Sequence, residues 1–419
     1  MKYGKRKIVQ NTAMLYILSI AKMVFPLIVL PYLTRVLSVS CYGVVTYVKA
    51  VMQYMQLIVD FGFILSGTKD IVMAEGDKDR IDREIGNIFM AKLLLVGIAF
   101  ACLGSITPFI QILRENVLFT FLSFAVVALT AFLMDFYFRG IERMEIITIR
   151  FVVMKGLATA LTFVFVRDDG SIMWIPILDI LGSLVAIVLV WIELKKFNVH
   201  LKPQGLRAAL KKLKESWIYF FSNMATTAFN ALNTILIGIY INATDVAYWG
   251  ICMQLIGAVQ SLYTPITNGI YPEMMRTKDR GLIRKMLVVF LPIVCIGCVI
   301  TFFIAKYVLL IVGGSEYILA ENILRLLIPV LFFSFLSILY GWPTLGAIGK
   351  QKQVTTTTIL AAVFQVVLIL ILVLFGKFNL ISIAVVRCIT EAVLFVLRFG
   401  VYWKNRHEFS LHDSAMKIR

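Results

Sequence analysis

The chain has 419 residues, 60% hydrophobic and 16% charged, with a mean hydropathy of +0.89. That balance excludes soluble globular, disordered and collagen-like proteins, and apolar runs of about 20 residues exclude a barrel and point to bilayer-spanning helices. A net charge of +17 could indicate nucleic acid, but the basic residues cluster between apolar runs, where membrane orientation places them, so no nucleic-acid partner is expected.

The predicted class is an all-α membrane protein with twelve transmembrane helices, at 12–33, 42–66, 86–110, 117–138, 148–166, 172–194, 217–240, 247–271, 285–310, 321–345, 354–375 and 379–402. The first apolar stretch is too long for a cleavable signal and lacks a small-residue cleavage site, so it is expected to remain as the first helix. Lys2, Lys5, Arg6 and Lys7 precede it. On the same side fall Lys195, Lys196, Lys202, Arg207, Lys211, Lys212 and Lys214, then Arg276, Lys278, Arg280, Arg284 and Lys285. The opposite side holds far fewer, among them Arg35, Arg114, Arg167, Lys306 and Lys377, so both termini are expected in the cytoplasm. The outward links at 37–41, 167–171, 242–245 and 376–379 leave no room for an external catalytic domain.

The longest connector divides the chain into an N-terminal six-helix lobe (1–194), a cytoplasmic linker (195–216), a C-terminal six-helix lobe (217–402) and a cytoplasmic tail (403–419). At the first outward turn of each half, Ser38-Val-Ser-Cys-Tyr-Gly43 lies opposite Asn242-Ala-Thr-Asp-Val-Ala247. This suggests duplicated halves of like orientation with a ligand site between them.

Ionisable groups inside spans are expensive and usually face a bundle interior or a watery cavity. In the first span Ser19, Lys22 and Pro26 share a face, Lys22 lies near mid-membrane, and Pro26 and Pro31 predict a bend. In the second, Lys49, Gln53, Gln56 and Asp60 follow steps of 4, 3 and 4, forming one polar face roughly 16 Å long at ~1.5 Å per residue. Asn223, Thr226, Thr227, Asn230, Asn233 and Thr234 stripe the seventh span; Gln254, Ser261, Thr264 and Asn268 stripe the eighth, beside Pro265 and Pro272. Spans 1, 2, 7 and 8 are therefore the expected cavity walls. Arg387, Glu391 and Arg398 share a face of the last span, with Arg387 and Glu391 placed to neutralise each other.

A structural alternative stands beside each. Asn and Thr stripes also serve as interhelical contacts. Lys22 and Lys49 could pair with Asp60 or another carboxylate in a static network, and Lys155 with Asp179 on consecutive antiparallel spans. Lys92 and Asp135, near cytoplasmic ends, are expected to snorkel, as is Arg325 on the outer side. Cys295 and Cys298 form a CxxC in an apolar helix without acidic or His neighbours, which favours packing over metal or redox work, and His200, His407 and His412 fall in cytoplasmic segments. No phosphate loop, dinucleotide turn or hydrolase motif is present, so no catalytic residue, metal or cofactor is expected.

Asn11, Pro26-Leu-Ile-Val-Leu-Pro31-Tyr-Leu-Thr-Arg35-Val-Leu37, Tyr42-Gly43 and Asp60-Phe61-Gly62-Phe63 together resemble Wzx-type O-antigen flippases. The resemblance covers essentially the whole chain, with Pro272 and the Gly349-Lys350-Gln351-Lys352 turn also fitting; beyond the N-terminal pattern it is generic to the multidrug, oligosaccharidyl-lipid and polysaccharide exporter superfamily. It implies a V-shaped pair of six-helix lobes in the bacterial inner membrane. By alternating access these would carry an undecaprenyl-pyrophosphate-linked oligosaccharide, an O-antigen or capsule repeat unit, from the cytoplasmic to the periplasmic leaflet, coupled to H+ or Na+. A glycan polymerase and a chain-length regulator are the partners it implies, beside membrane lipids. Ser38 stands where the family pattern has glycine, and Lys49 where it is often neutral.

The residues support the same chemistry. Moving a pyrophosphate and a glycan across about 30 Å of hydrocarbon requires cations to replace water around the anion and amides or hydroxyls to replace it around sugars. Lys22, Lys49 and Arg387 suit the first need, Gln53, Gln56, Asn223 and Asn230 the second, with Arg35 at the outer mouth and Asp60 and Glu391 as ion-coupling carboxylates. The alternatives are a drug/cation antiporter of the same fold, which would need a carboxylate-rich cavity, and a membrane enzyme acting on polyprenyl-linked glycans.

Overall fold

The computed structural model describes residues 2–409, with side chains from residue 10 onward apart from those of residues 222, 228, 229, 264, 265, 268 and 272. Lys2, Lys5, Arg6, Lys7, Thr264, Pro265, Asn268, Pro272 and His412 thus lie outside the described side chains. Within this range the regular structure is helical: α1 (Lys2–Val36), α2 (Val39–Asp60), α3 (Phe63–Met73), α4 (Lys78–Ile106), α5 (Gln111–Glu115), α6 (Val117–Leu129), α7 (Asp135–Gly140), α8 (Met144–Phe165) and α9 (Trp174–Lys196) come first. There follow α10 (Leu206–Tyr240), α11 (Ala243–Thr277), α12 (Arg280–Gly313), α13 (Glu321–Leu339), α14 (Gln351–Leu374) and α15 (Leu380–Lys404).

Among the described residues ten helical stretches are long and apolar enough to cross a bilayer. α10 and α11, 35 residues each, have the length but carry the polar stripes that dilute their hydropathy. All twelve predicted spans coincide with helices, and the chain is a multi-pass helical membrane protein. It divides into two compact units, residues 1–227 with 242–244, and residues 228–241 with 245–419.

The first unit packs around Phe63, Ile85, Ile88, Phe136, Phe138 and Val190. α2 approaches the Ala243 backbone so closely that a Cβ on Gly43 would lie 1.8 Å from the Ala243 carbonyl oxygen, so only glycine fits there. Ser38, where the family pattern has glycine, has φ −59°, which any residue adopts; its hydroxyl caps α2 by accepting from the Cys41 N–H at 3.2 Å. The 195–216 connector packs onto this unit: the His200 N–H donates to Asp82 Oδ1 at 3.1 Å and the Gln204 N–H to Asn87 Oδ1 at 2.8 Å. Lys212 anchors the connector's end, 2.9 Å from Asp70, 2.7 Å from Glu84 and 3.1 Å from Glu215. Burial works to lower its pKa, and the hydrogen bonds to these carboxylates outweigh it and hold the ammonium above the ordinary lysine range.

Three predicted spans are interrupted. In the second, Phe61 (φ 42°) and Gly62 (φ 80°) are successive left-handed residues that end α2 and redirect the chain into α3. In the fourth, a 3-10 turn at Thr130–Leu133 and Met134 (φ 50°) separate α6 from α7. In the tenth, α13 runs into a π turn at Tyr340–Leu345 around a non-helical Gly341 and Pro343. The first two breaks fall in apolar runs with continuous hydropathy, and they need tertiary partners to hold: Phe61 stacks on Phe220 with ring centroids 4.5 Å apart. α1, in contrast, stays helical through Pro26 and Pro31, so the expected bend is not a break in that helix. The second unit packs around Met274, Phe335, Leu339, Tyr340 and Leu345, on the inner side of its own break.

Candidate functional site

The first unit holds a cavity of ≈ 130 Å³ lined by α1, α2, α8 and α9, with Lys22, Pro26, Lys49, Phe151, Lys155 and Asp179 on its walls. The helical period explains why these residues meet: Lys22 and Pro26 are one turn apart on α1, and Lys155 sits one turn beyond Phe151 on α8. Lys155 Nζ lies 2.7 Å from Asp179 Oδ1, so the ion pair considered from sequence is present. Lys22 stands over the Phe151 ring, 5.7 Å from its centroid. Neither Lys22 nor Lys49 makes an ion pair within 4.0 Å among the described residues. The cavity therefore carries three ammonium groups against one carboxylate. A cation–π contact offsets part of the cost of Lys22 but leaves its N–H donors available. The volume suits a phosphate-sized head with water and falls below the ~300–1,000 Å³ of pockets for larger organic ligands.

Asp60 is engaged elsewhere. Its carboxylate lies 3.3 Å from Lys92 Nζ and accepts from Gln56 Nε2 at 2.8 Å, and Gln56 Nε2 also lies 3.0 Å from Thr130 Oγ1. The end of α2 and the end of α6 are thus tied together where both spans break. Lys92, expected to snorkel, is instead almost fully buried because Asp60 meets it inside the unit. Asp135 likewise pairs inward, with Arg150 Nη2 at 2.6 Å, and Arg150 is itself buried. Sequence reasoning passed over Arg150 and Arg139. Their only signal was an ionisable residue inside or just before a predicted span.

Gln53, on the same face of α2 as Lys49, is exposed, and Arg35 is exposed near the end of α1. On α10, Asn223 is partly buried in the first unit's portion and Asn230 is exposed in the second unit's portion. Asn233 is turned inward, accepting from Gln365 Nε2 at 3.1 Å, which is interhelical contact rather than cavity wall.

In the second unit Arg387 Nη2 lies 3.2 Å from Glu391 Oε2, with both side chains at most 5% exposed. Ser337 Oγ donates to Glu391 Oε1 at 3.1 Å, and Arg398 donates to the Ser337 carbonyl at 2.7 Å and to Thr358 Oγ1 at 3.1 Å. Glu391 and Arg398 on α15 thus hold Ser337 in the last turn of α13, immediately before the Tyr340–Leu345 break, and Arg398 satisfies its carbonyl. Among the described residues no group of three or more His, Cys, Asp or Glu side chains is placed to hold a metal ion. Cys295 and Cys298 are free thiols within α12.

The residues that carried the family resemblance have structural work in this arrangement. Asn11 Oδ1 accepts from the Met144 N–H at 3.4 Å, Tyr32 Oη donates to the Val166 carbonyl at 2.7 Å, and the Asp60–Phe63 segment forms the α2–α3 break. Comparison with known proteins agrees. The family described as "Polysaccharide biosynthesis protein" matches residues 8–278. The chain is similar to two proteins named "Putative O-antigen transporter". That of Shigella dysenteriae is 26% identical over 361 residues, covering 84% of this chain and 90% of that protein. That of Escherichia coli (strain K12) is 23% identical over 401 residues, covering 94% and 96%. Two solved structures share the fold. The lipid II flippase MurJ, in an inward closed conformation, has a TM-score of 0.70 at 13% identity over 94% of this chain and 87% of that one. An inward-facing MATE family multidrug transporter of the MOP superfamily has a TM-score of 0.65 at 15% identity over 93% and 98%. With the family matching well over half its length, this chain, an all-helical membrane protein with the MOP-superfamily transporter fold, belongs to the polysaccharide biosynthesis protein family.

Proposed function

We propose that this protein is a flippase of the bacterial inner membrane. It carries an undecaprenyl-pyrophosphate-linked oligosaccharide from the cytoplasmic to the periplasmic leaflet by alternating access, with both termini in the cytoplasm. The single observation that carries the reading is that Lys22 and Lys49 share a cavity and neither is neutralised by an ion pair among the described residues. An unneutralised ammonium at membrane depth costs several kcal/mol unless water or an anion reaches it, and a pyrophosphate is an anion that accepts from several donors at once. The sugars, too large for this cavity, meet amide side chains such as Gln53 and Asn223, while the polyprenyl tail stays in lipid. Arg35 is the outer contact. The names of the two O-antigen transporter relatives support this cargo. A drug/cation antiporter, which shares the fold, is disfavoured because three lysines against one aspartate would repel an organic cation.

Asp60 is the carboxylate best suited to coupling with H+ or Na+. It is 39% exposed and joins the α2 and α6 breaks through Lys92, Gln56 and Thr130, whereas Glu391 is dry and committed to Arg387 and Ser337. Lys22→Ala and Lys49→Ala are each expected to abolish surface glycan while the protein remains inserted at normal abundance. Normal glycan display in both would remove the assignment. Asp60→Asn is expected to change how transport depends on pH or sodium, measured in proteoliposomes; an unchanged dependence would take the coupling role from it.

A further inference from the structure

We propose that Asp179 decides which anion the cavity of the first unit accepts: its ion pair with Lys155 holds the lining at a charge that matches a pyrophosphate esterified at both ends, the glycan-loaded carrier, and not the bare carrier. The inference rests on the function proposed above and names the form of the cargo that the same cavity takes.

Lys155 on α8 and Asp179 on α9 meet because the two helices touch at the level of the backbone. A Cβ on Gly182 would lie 2.6 Å from the Met154 carbonyl oxygen; Met154 precedes Lys155, and Gly182 follows Asp179 by about one turn. The missing side chain at Gly182 sets this close approach, so the ion pair is not what draws the helices together. The pair opens on the cavity instead. Both residues line it, and they are 33% and 25% exposed, whereas Arg150 in its pair with Asp135 is 4% exposed. A carboxylate on the wall of an anion site repels every anion that enters, and such a repulsive element is how a site trades affinity for selectivity.

The charge of the lining says what is selected. Lys22, Lys49 and Lys155 against Asp179 leave it at +2. Asp60 and Asp135 do not line the cavity and are paired with Lys92 and Arg150. A pyrophosphate esterified at both ends has one acidic group on each phosphorus and carries about −2, whereas one left free at its end loses a further proton near pH 6 and carries about −3 above it. The loaded carrier therefore neutralises the lining. The bare carrier leaves one negative charge uncompensated beside Asp179, in a space walled in part by Phe25 and Val29, where an unpaired charge is costly. Asp179 occupies one of the three donors of the Lys155 ammonium and leaves two for phosphate oxygens, and Thr159, one turn along α8, adds a hydroxyl to the lining. A transporter with this preference moves the carrier with its glycan and not without it.

The test is binding of two probes, farnesyl pyrophosphate and its terminal methyl ester, to the full chain in phosphatidylcholine nanodiscs at about pH 8, with farnesol as the uncharged control. The probes share prenyl chain and pyrophosphate and differ by one negative charge. The wild type is expected to bind the methyl ester about tenfold more tightly, the size of one unmatched charge at a partly solvated site. Asp179→Asn raises the lining to +3 at unchanged size and is expected to shift that ratio about tenfold toward farnesyl pyrophosphate. Lys155→Met combined with Asp179→Asn returns the lining to +2 and is expected to restore the preference for the methyl ester. Equal binding of the two probes by the wild type, or tighter binding of farnesyl pyrophosphate, overturns the proposal, as does a wild-type ratio in folded Asp179→Asn. In each of these cases loss of both probes in Lys49→Ala leaves the cavity reading in place. Binding of neither probe by the wild type removes the cavity reading and the proposal together.

Discussion

The two units bury charge in opposite ways. In the first, Lys155 and Asp179 are 33% and 25% exposed and Asp60 39%, and the cations outnumber their carboxylates. In the second, Arg387 and Glu391 are 3% and 5% exposed, tied to each other, and linked through Ser337 to Arg398 and the α13 break. The first set borders a cavity and is partly exposed. The second, two arginines around one glutamate, is dry and braces a broken helix. Buried charge thus lines a cavity in one half and supports backbone in the other.

The sharpest way to break this contrast is to remove one charge from each side. Glu391→Ala leaves Arg387 without its carboxylate in a dry interior and is expected to destabilise the protein by about 3–5 kcal/mol, most of it recovered by Arg387→Met with Glu391→Leu. Lys22→Ala, expected to abolish surface glycan, should melt like the wild type in detergent. If Glu391→Ala melts normally, the second unit is not dry in the sense argued. Next in size is the Lys212 hub of the first unit, where hydrogen bonds from one ammonium to charged acceptors are worth about 1.5–3 kcal/mol. Because the folded pKa of Lys212 is raised, its contribution is complete below the ordinary lysine value near 10.4 and is lost only as pH climbs through the higher folded one. The melting difference between wild type and Lys212→Met should therefore stay flat from about pH 7 to 10 and shrink above it. A difference that disappears by pH 9 would show that the hub is not what holds the connector.

Glycines sharpen the comparison with the smallest effects. Gly43→Ala forces a methyl group against the Ala243 carbonyl and should cost about 1–3 kcal/mol. Gly257→Ala, on α11 in the second unit with nothing within 4 Å of the added carbon, should stabilise by about 0.5–1 kcal/mol. Thermal melts of the two variants moving in the same direction would contradict the packing described for α2.

Much of the site was legible before any coordinates. The shared face of Lys49, Gln53, Gln56 and Asp60 and the Arg387–Glu391 pair follow from residue spacing, because a helix repeats every ~3.6 residues and places partners at fixed offsets along its own axis, and the Lys155–Asp179 pair follows from consecutive antiparallel spans. The partner of Asp60 was not legible. Lys92 is separated from it by a span boundary and was read as an edge residue that snorkels. Nor were the breaks at Phe61–Gly62 and Thr130–Met134, since apolar side chains continue through them and only contacts such as Phe61 on Phe220 make left-handed backbone affordable.

By itself the sequence determined what solvent physics demands of each segment: helices long enough for a bilayer, basic connectors on one side, and polar groups gathered on faces that cannot meet lipid. Only the tertiary structure decided which polar groups neutralise one another. That depends on distances between helices far apart in the chain. One-dimensional periodicity carries no such distances, so it could not tell the two lysines left with an unbalanced charge from the arginines locked in a dry network.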